Sequence, residues 1–287
     1  MLTSIDVVDS HQHFWDPSTH SLAGLTGEYE SLRRRFGPDD LAPLLASCGV
    51  RKTVAVQAEN TAQDSLRLLD LALEIPYILS VVGWIDTERP DPARSLELLL
   101  GAPGGGKLAG IRFNARDQPN PNWLDDLGPS RAVAGVVESG LVCELLLRHD
   151  NAPAARRLFN KFPTGRFVID HLMTVPRDAL LRRQWRDSLK SISSIETVWV
   201  KMSGFIDQAG EHGWRPSDFL AAVHYVLEIW DLNHVMFGTD WPVCTISRSY
   251  EQIVEWSVSA LSHLDGATRE RIMSHNAEAC YRSGPRS

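Results

Sequence analysis

The chain reads as a (β/α)8 barrel of the α/β class. Three observations predict it: eight short β-branched runs, their near-regular spacing, and amphipathic stretches between them. The runs begin near Ile5, Lys52, Ile78, Leu108, Leu141, Arg166, Thr197 and Val235, so successive starts lie 47, 26, 30, 33, 25, 31 and 38 residues apart. Each interval is long enough for one strand and one crossover helix. Near-continuous apolar strands are expected where a parallel sheet is covered on both faces, and alternating strand and helix signals point to βαβ units. Eight is the closing number for this barrel, whereas a doubly wound sheet more often shows fewer strands. At 287 residues the whole chain, 1–287, is expected to form one such domain.

The helices follow in order. Asp39 or Asp40 caps a helix with Leu41, Leu44 and Leu45 on one side and Gly49 at its end. Asp64 precedes a run with Leu66, Leu69 and Leu73 at helical spacing, closed by Pro76. Pro216 or Ser217 opens another, whose buried stripe is Phe219, Val223, Val226, Leu227 and Trp230. The tail from Thr268 to Tyr281 is the last helix. The stretch Gly101–Lys107 has phosphate-loop spacing, but Leu108 stands where Ser or Thr must bind magnesium, and a strand follows instead of a helix. It is expected to be a flexible loop. No G-x-S-x-G elbow or H-E-x-x-H helix occurs, which argues against a serine hydrolase and a zincin.

Composition narrows the function classes. Apolar residues are 43% and charged residues 23%, an ordinary globular balance. A net charge of -7 gives no basic face for nucleic acid. Cys48, Cys143, Cys244 and Cys280 lie far apart, so reduced core cysteines are expected instead of a zinc knuckle or a disulfide framework. The most apolar stretch, Leu66–Trp84, is broken by Asp70, Glu74 and Pro76 and cannot cross a bilayer. No signal peptide is read at the N-terminus, and a cytoplasmic enzyme acting on a small molecule is the expectation. Self-assembly into a homo-oligomer is compatible with all of this.

Active sites of this architecture lie at the carboxyl ends of the strands. Those ends hold Asp9, His11, His13 and Trp15; Gln57 and Glu59; Trp84 and Asp86; and Arg112 and Asn114. The later strands add Glu144, then Asp170 and His171, then Lys201 and Ser203, then Asp240 and Trp241. Residues two apart on a strand face the same way, so His11 and His13 both point into the barrel mouth. There they hold either one metal ion or one substrate oxygen. Asp240, just past an apolar strand, is a candidate general base for water. Arg112 suits a ligand carboxylate or carbonyl. Glu144 lies inside an apolar strand, a placement that is costly unless the charge is paired or used. Lys201 and Glu59 are weaker candidates.

On these residues the chain resembles the amidohydrolase superfamily, and within it the amidohydrolase-2 group of sugar lactonases and dicarboxylate lactonases. The segments that carry the resemblance are Asp9–Pro17, Val82–Asp86, Gly110–Arg112, Val168–His171, Val200–Gly204, Phe237–Val243 and the closing Asn276-Ala277 with Tyr281. The resemblance implies hydrolysis of a lactone ester, with His11, His13 and His171 around the carbonyl and Asp240 taking the proton of the attacking water. It also implies one divalent ion, zinc first, on His11, His13 and Asp240, or operation without any ion. Arg112 and Glu144 would then orient the substrate, and Trp15, Trp84 and Trp241 would wall a sugar face. Ile111 and Arg112 stand where binuclear members carry a carboxylated lysine, and Glu144 where they carry a histidine, which argues against two metals. After His171 the chain reads Leu172-Met173-Thr174-Val175-Pro176, where the group usually has a shorter, glycine-containing link to proline. The rivals are a metal-dependent decarboxylase of an aromatic or enol acid, and a binding protein that kept the barrel without catalysis.

Overall fold

The structure is a computed structural model that describes residues 6–22, 25–204, 216–246 and 248–282. The eight expected strands form one parallel sheet in sequential order. They are β1 (Val7–Gln12), β2 (Val50–Val56), β3 (Ile78–Gly83), β4 (Leu108–Asn114), β5 (Val142–Leu146), β6 (Arg166–Ile169), β7 (Val198–Met202) and β8 (Val235–Phe237). The expected start at Ile5 lies outside the described residues. The sheet comes round on itself where β8 meets β1. His13 N–H donates to Trp241 O at 2.7 Å and Asp240 N–H to His11 O at 2.8 Å.

Asp9 stitches the same seam. Its carboxylate accepts from Thr239 N–H, Thr239 Oγ1 and Tyr250 OH at 2.9, 2.6 and 3.1 Å. Burial outweighs these bonds and pushes its carboxyl up to about 6.

The apolar residues divide into two regions. Val8, Val54, Val56, Val82, Val142, Val168 and Met236 fill the barrel interior together with Ala277, Cys280 and Tyr281 of the last helix. That helix closes the amino-terminal mouth of the barrel, where Ser80 Oγ donates to Tyr281 O at 2.8 Å. The larger region lies between the strands and the surrounding helices.

Sequence and structure differ in local detail. Asp40 caps Pro38–Cys48 from inside, its carboxylate accepting from Gly37 N–H at 2.8 Å, and Gly49 ends the helix at φ 69. The second helix, Ala62–Glu74, is capped by Thr61, and its buried side is Ser65, Leu68, Leu69 and Ala72. Leu73 instead points to solvent, 60% exposed. The tail is helical at Gly266–Glu270 and Asn276–Tyr281 with a π turn, Arg271–His275, between them. The Gly101–Lys107 stretch is not a loose loop. Gly104 has φ +75, and a Cβ there would meet Leu69 O at 2.4 Å, so its glycine allows close packing on the neighbouring helix.

Candidate active site

Simple alternation from Val8, which faces the barrel interior, would turn His11 and His13 outward. A β-bulge reverses this: Asp9 pairs with Thr53 and Gln12 with Ala55, so three steps on β1 oppose two on β2. The extra residue re-aims the end of the strand, and both imidazoles face inward. His11 Nε2 and His13 Nε2 lie 3.1 Å apart. Asp240 Oδ1 lies 3.6 Å from the first and 3.3 Å from the second. His171 Nε2 is 3.9 Å from the same oxygen.

These four residues stand at one end of a buried polar column. Lys201, wholly enclosed, donates to Glu144 Oε1 at 2.7 Å and to His11 Nδ1 at 3.1 Å, and lies 3.3 Å from Asp170 Oδ1. Tyr281 OH reaches Glu144 from below. Burial pushes Glu144 up to about 7, reinforced by the Asp170 charge and opposed by Lys201. Asp170 feels the same burial, but Lys201 and His11 hold its carboxyl well below the usual range. Burial, with Lys201 adding to it, holds His11 well below its ordinary value. Burial also brings His171 down to about 4. These two imidazoles are therefore neutral near pH 7, the form that binds an ion. Burial works to raise Asp240, yet His171, His13 and His11 together hold it well below the carboxylate range.

The donor set fits one tetrahedral ion. Zinc bonds of about 2.0–2.1 Å imply ligand-to-ligand edges of about 3.3–3.4 Å, and the three edges here are 3.1, 3.6 and 3.3 Å. His13 Nδ1 lies 2.8 Å from Val56 O, a bond that puts its proton there and leaves Nε2 as a lone pair. His11 has two proton placements. With Lys201 donating to Nδ1, the His11 proton sits on Nε2 and points at His13, and the site is closed without an ion. With the proton on Nδ1 facing Asp170, at 3.3 Å, Nε2 is free as a ligand.

Above the column lies an open cavity of about 550 Å³. His13, Trp15, Arg112, His171 and Asp240 reach it, as do Glu59 and Asn114. Leu22, Leu25, Tyr29, Leu146 and Val243 form its apolar side, and Asn60, Arg116 and Asp117 add polar groups. Arg112 is anchored by a 2.7 Å bond to Gln57 O and lies 4.0 Å from Asp170.

Three expected substrate contacts are not at the cavity. Glu144 is sealed beneath it by Lys201 and Tyr281, so its charge is used for pairing. Trp241 is 2% exposed and packs edge-on against Phe14 and Phe36, supporting the mouth from behind. Trp84 is half-buried, its backbone N–H held by Ser65 Oγ at 2.8 Å, and does not line the cavity. Conversely, Tyr29 and Leu25 line the cavity although no strand end or motif in the sequence marks them. Tyr29 sits in a 3-10 turn, Gly27–Leu32, that leaves no helical or strand period in the sequence.

Backbone strain concentrates here. His171, Leu172, Met173 and Thr174 have φ of 55, 49, 60 and 48, a left-handed turn with no glycine, and Asp240 has φ 62. Left-handed geometry costs about 1–2 kcal/mol per residue for such side chains, and it persists only where the surroundings over-determine it. On the facing side, Gly204 has φ +65, and a Cβ there would meet the His171 ring at 2.1 and 2.2 Å.

Comparison with known proteins adds to this geometry. A family model described as amidohydrolase matches residues 8–283. An L-fucono-1,5-lactonase of Burkholderia ambifaria is 29% identical over 282 residues, covering 96% of this chain and 95% of that protein. The crystal structure of an amidohydrolase from Burkholderia multivorans with bound zinc is 27% identical, with a TM-score of 0.89 over 97% of this chain and 100% of that one. A 2,6-dihydroxybenzoate decarboxylase from Rhizobium shares the fold alone, at 14% identity and a TM-score of 0.70 over 97% of this chain and 99% of that one.

Proposed function

Since the chain belongs to the amidohydrolase family, we propose that it hydrolyses a small sugar-acid lactone of the fucono, rhamnono or galactono type. The observation that carries this reading is the triangle of His11 Nε2, His13 Nε2 and Asp240 Oδ1 at the floor of an open cavity. The lactonase relative supports the substrate class over decarboxylation.

Water gives a proton to Asp240 as its oxygen adds to the lactone carbonyl. His171 faces the negative charge that develops on the carbonyl oxygen, where a preorganised donor has its largest effect. Asp240 returns the proton to the ring oxygen as the C–O bond breaks, and a hydroxy acid leaves. Because its neighbours hold Asp240 low, it is a weak base toward bulk water and needs a water already acidified by the site. His11, His13 and Asp240 are the residues that would hold a divalent ion, zinc first for two imidazoles and a carboxylate. Bound there, the ion would supply Lewis-acid polarisation and a more acidic water. Arg112 and Trp15 contact the substrate, the first through its guanidinium and the second as an apolar wall.

The test compares acid release from L-fucono-1,5-lactone and related sugar lactones with carbon dioxide release from 2,6-dihydroxybenzoate. Acid release alone supports the reading. Carbon dioxide release would transfer the site to a decarboxylase, and absence of both would overturn the lactone assignment.

A further inference from the structure

We propose that Trp185 is a positioning residue for the reaction, acting through His171 by holding the left-handed turn that carries it. The inference rests on the lactone-hydrolase reading above. Four consecutive non-glycine residues, His171 to Thr174, have positive φ, and such backbone must be held from outside. Within the turn Met173 N–H donates to Asp170 O at 3.0 Å, while Thr174 Oγ1 is buried without a partner among the described residues. The Leu172 carbonyl, one residue beyond His171, is satisfied by the Trp185 indole N–H at 2.6 Å.

Trp185 is itself fully buried on the outer helix Ala179–Ile192, its ring 5.7 Å from that of Tyr225. A buried, short bond therefore runs from the outer helical layer to the Leu172–Met173 peptide unit, one unit beyond those that flank His171. Opposite it, Ser203 Oγ lies 2.9 Å from His171 Nδ1, and Gly204 leaves the ring no slack. The imidazole is thus clamped between the segment just past β7 and the turn, with Nε2 3.9 Å from Asp240. Loss of the Trp185 bond lets the turn relax and swings the ring from the carbonyl it serves.

Trp185→Phe removes the N–H and keeps an aromatic ring; benzothienylalanine at position 185 removes it at nearly unchanged volume and serves if the first variant does not fold. With L-fucono-1,5-lactone, kcat is expected to fall about 10- to 100-fold, with KM moving less than about threefold. In a His171→Asn background the same change should alter kcat less than about twofold, since the two residues act as one unit. In histidine-labelled protein the ring resonances of His171 should shift while those of His20, paired with Asp64 away from Trp185, stay. An unchanged kcat with unchanged His171 resonances overturns the proposal, as does an undiminished effect in the His171→Asn background. If the wild-type protein turns over no lactone, the functional reading falls, and the His171 resonances alone decide the role of Trp185.

Discussion

Replacing Lys201 with Met should destabilise the protein by about 3 kcal/mol near pH 7. The ammonium is fully enclosed, 2.7 Å from Glu144 and 3.3 Å from Asp170. At an effective dielectric of 20 these two attractions amount to about 6 and about 5 kcal/mol before desolvation. Taking the ammonium out of water cancels much of that sum, and removing one partner of a buried pair typically costs about 3–5 kcal/mol. The lower end applies because Glu144 already sits at about 7 and takes up a proton cheaply once Lys201 is gone. Asp170 bears the remaining penalty. Urea denaturation reads the loss, and a thermal scan should show a midpoint lower by about 6–12 °C. Without Lys201 the folded-state value for Glu144 rises further, a contribution present at low pH and lost as pH rises through that value. The deficit against wild type should therefore shrink toward about pH 6 and grow toward about pH 8. Adding Glu144→Gln should recover part of the loss. A deficit below about 1 kcal/mol, or one that grows on acidification, would refute the paired-column reasoning.

Other outcomes follow from the same contacts. His20 and Asp64 pair at 2.9 Å; burial opposes ionisation of both, yet their bond raises His20 and lowers Asp64. The His20 part is present below 6.5 and lost as pH rises through its raised value; the Asp64 part is present above 3.8 and lost as pH falls. Asp64→Asn should therefore cost more stability at about pH 5.5 than at about pH 8.5, read by urea midpoints. Gly204→Ala drives a Cβ into the His171 ring and should cost about 2 kcal/mol, by thermal unfolding, together with most of the activity. If His11, His13 and Asp240 bind zinc as the fit of their donors implies, metal analysis of purified protein should find about one equivalent. His13→Ala should reduce that content well below one, and an undiminished content would remove His13 from the ligand set.

Much of the architecture is legible in the sequence, because most strands carry a run of apolar residues buried on both faces, as at Val54–Val56 and Phe167–Ile169. The polar strand ends were legible for the same reason: His171, Lys201 and Asp240 interrupt runs that otherwise have no use for them. Orientation was not. The inward turn of His11 and His13 depends on the bulge between Asp9 and Gln12, which leaves no mark in composition or period. Glu144 stood out as a charge inside an apolar strand and was expected to orient substrate, but it is paired with Lys201 on β7, 57 residues on, beyond any local pattern. Trp84 and Trp241 were placed at the mouth by strand position alone, and packing against Ser65, Phe14 and Phe36 took them out of it. The departure at Leu172–Pro176 was visible in the sequence. The left-handed conformation of Leu172–Thr174 within it was not, since L side chains rarely adopt one.

In the proposed reaction Asp240, set among His11, His13 and His171, moves the proton in lactone opening. The initial rate of L-fucono-1,5-lactone hydrolysis by Asp240→Asn, measured with zinc content and thermal midpoint on the same preparation, tests it most directly. A fall of about 10²- to 10⁴-fold in a protein that still folds is the expected result. A folded Asp240→Asn variant that hydrolyses the lactone at the wild-type rate would contradict it.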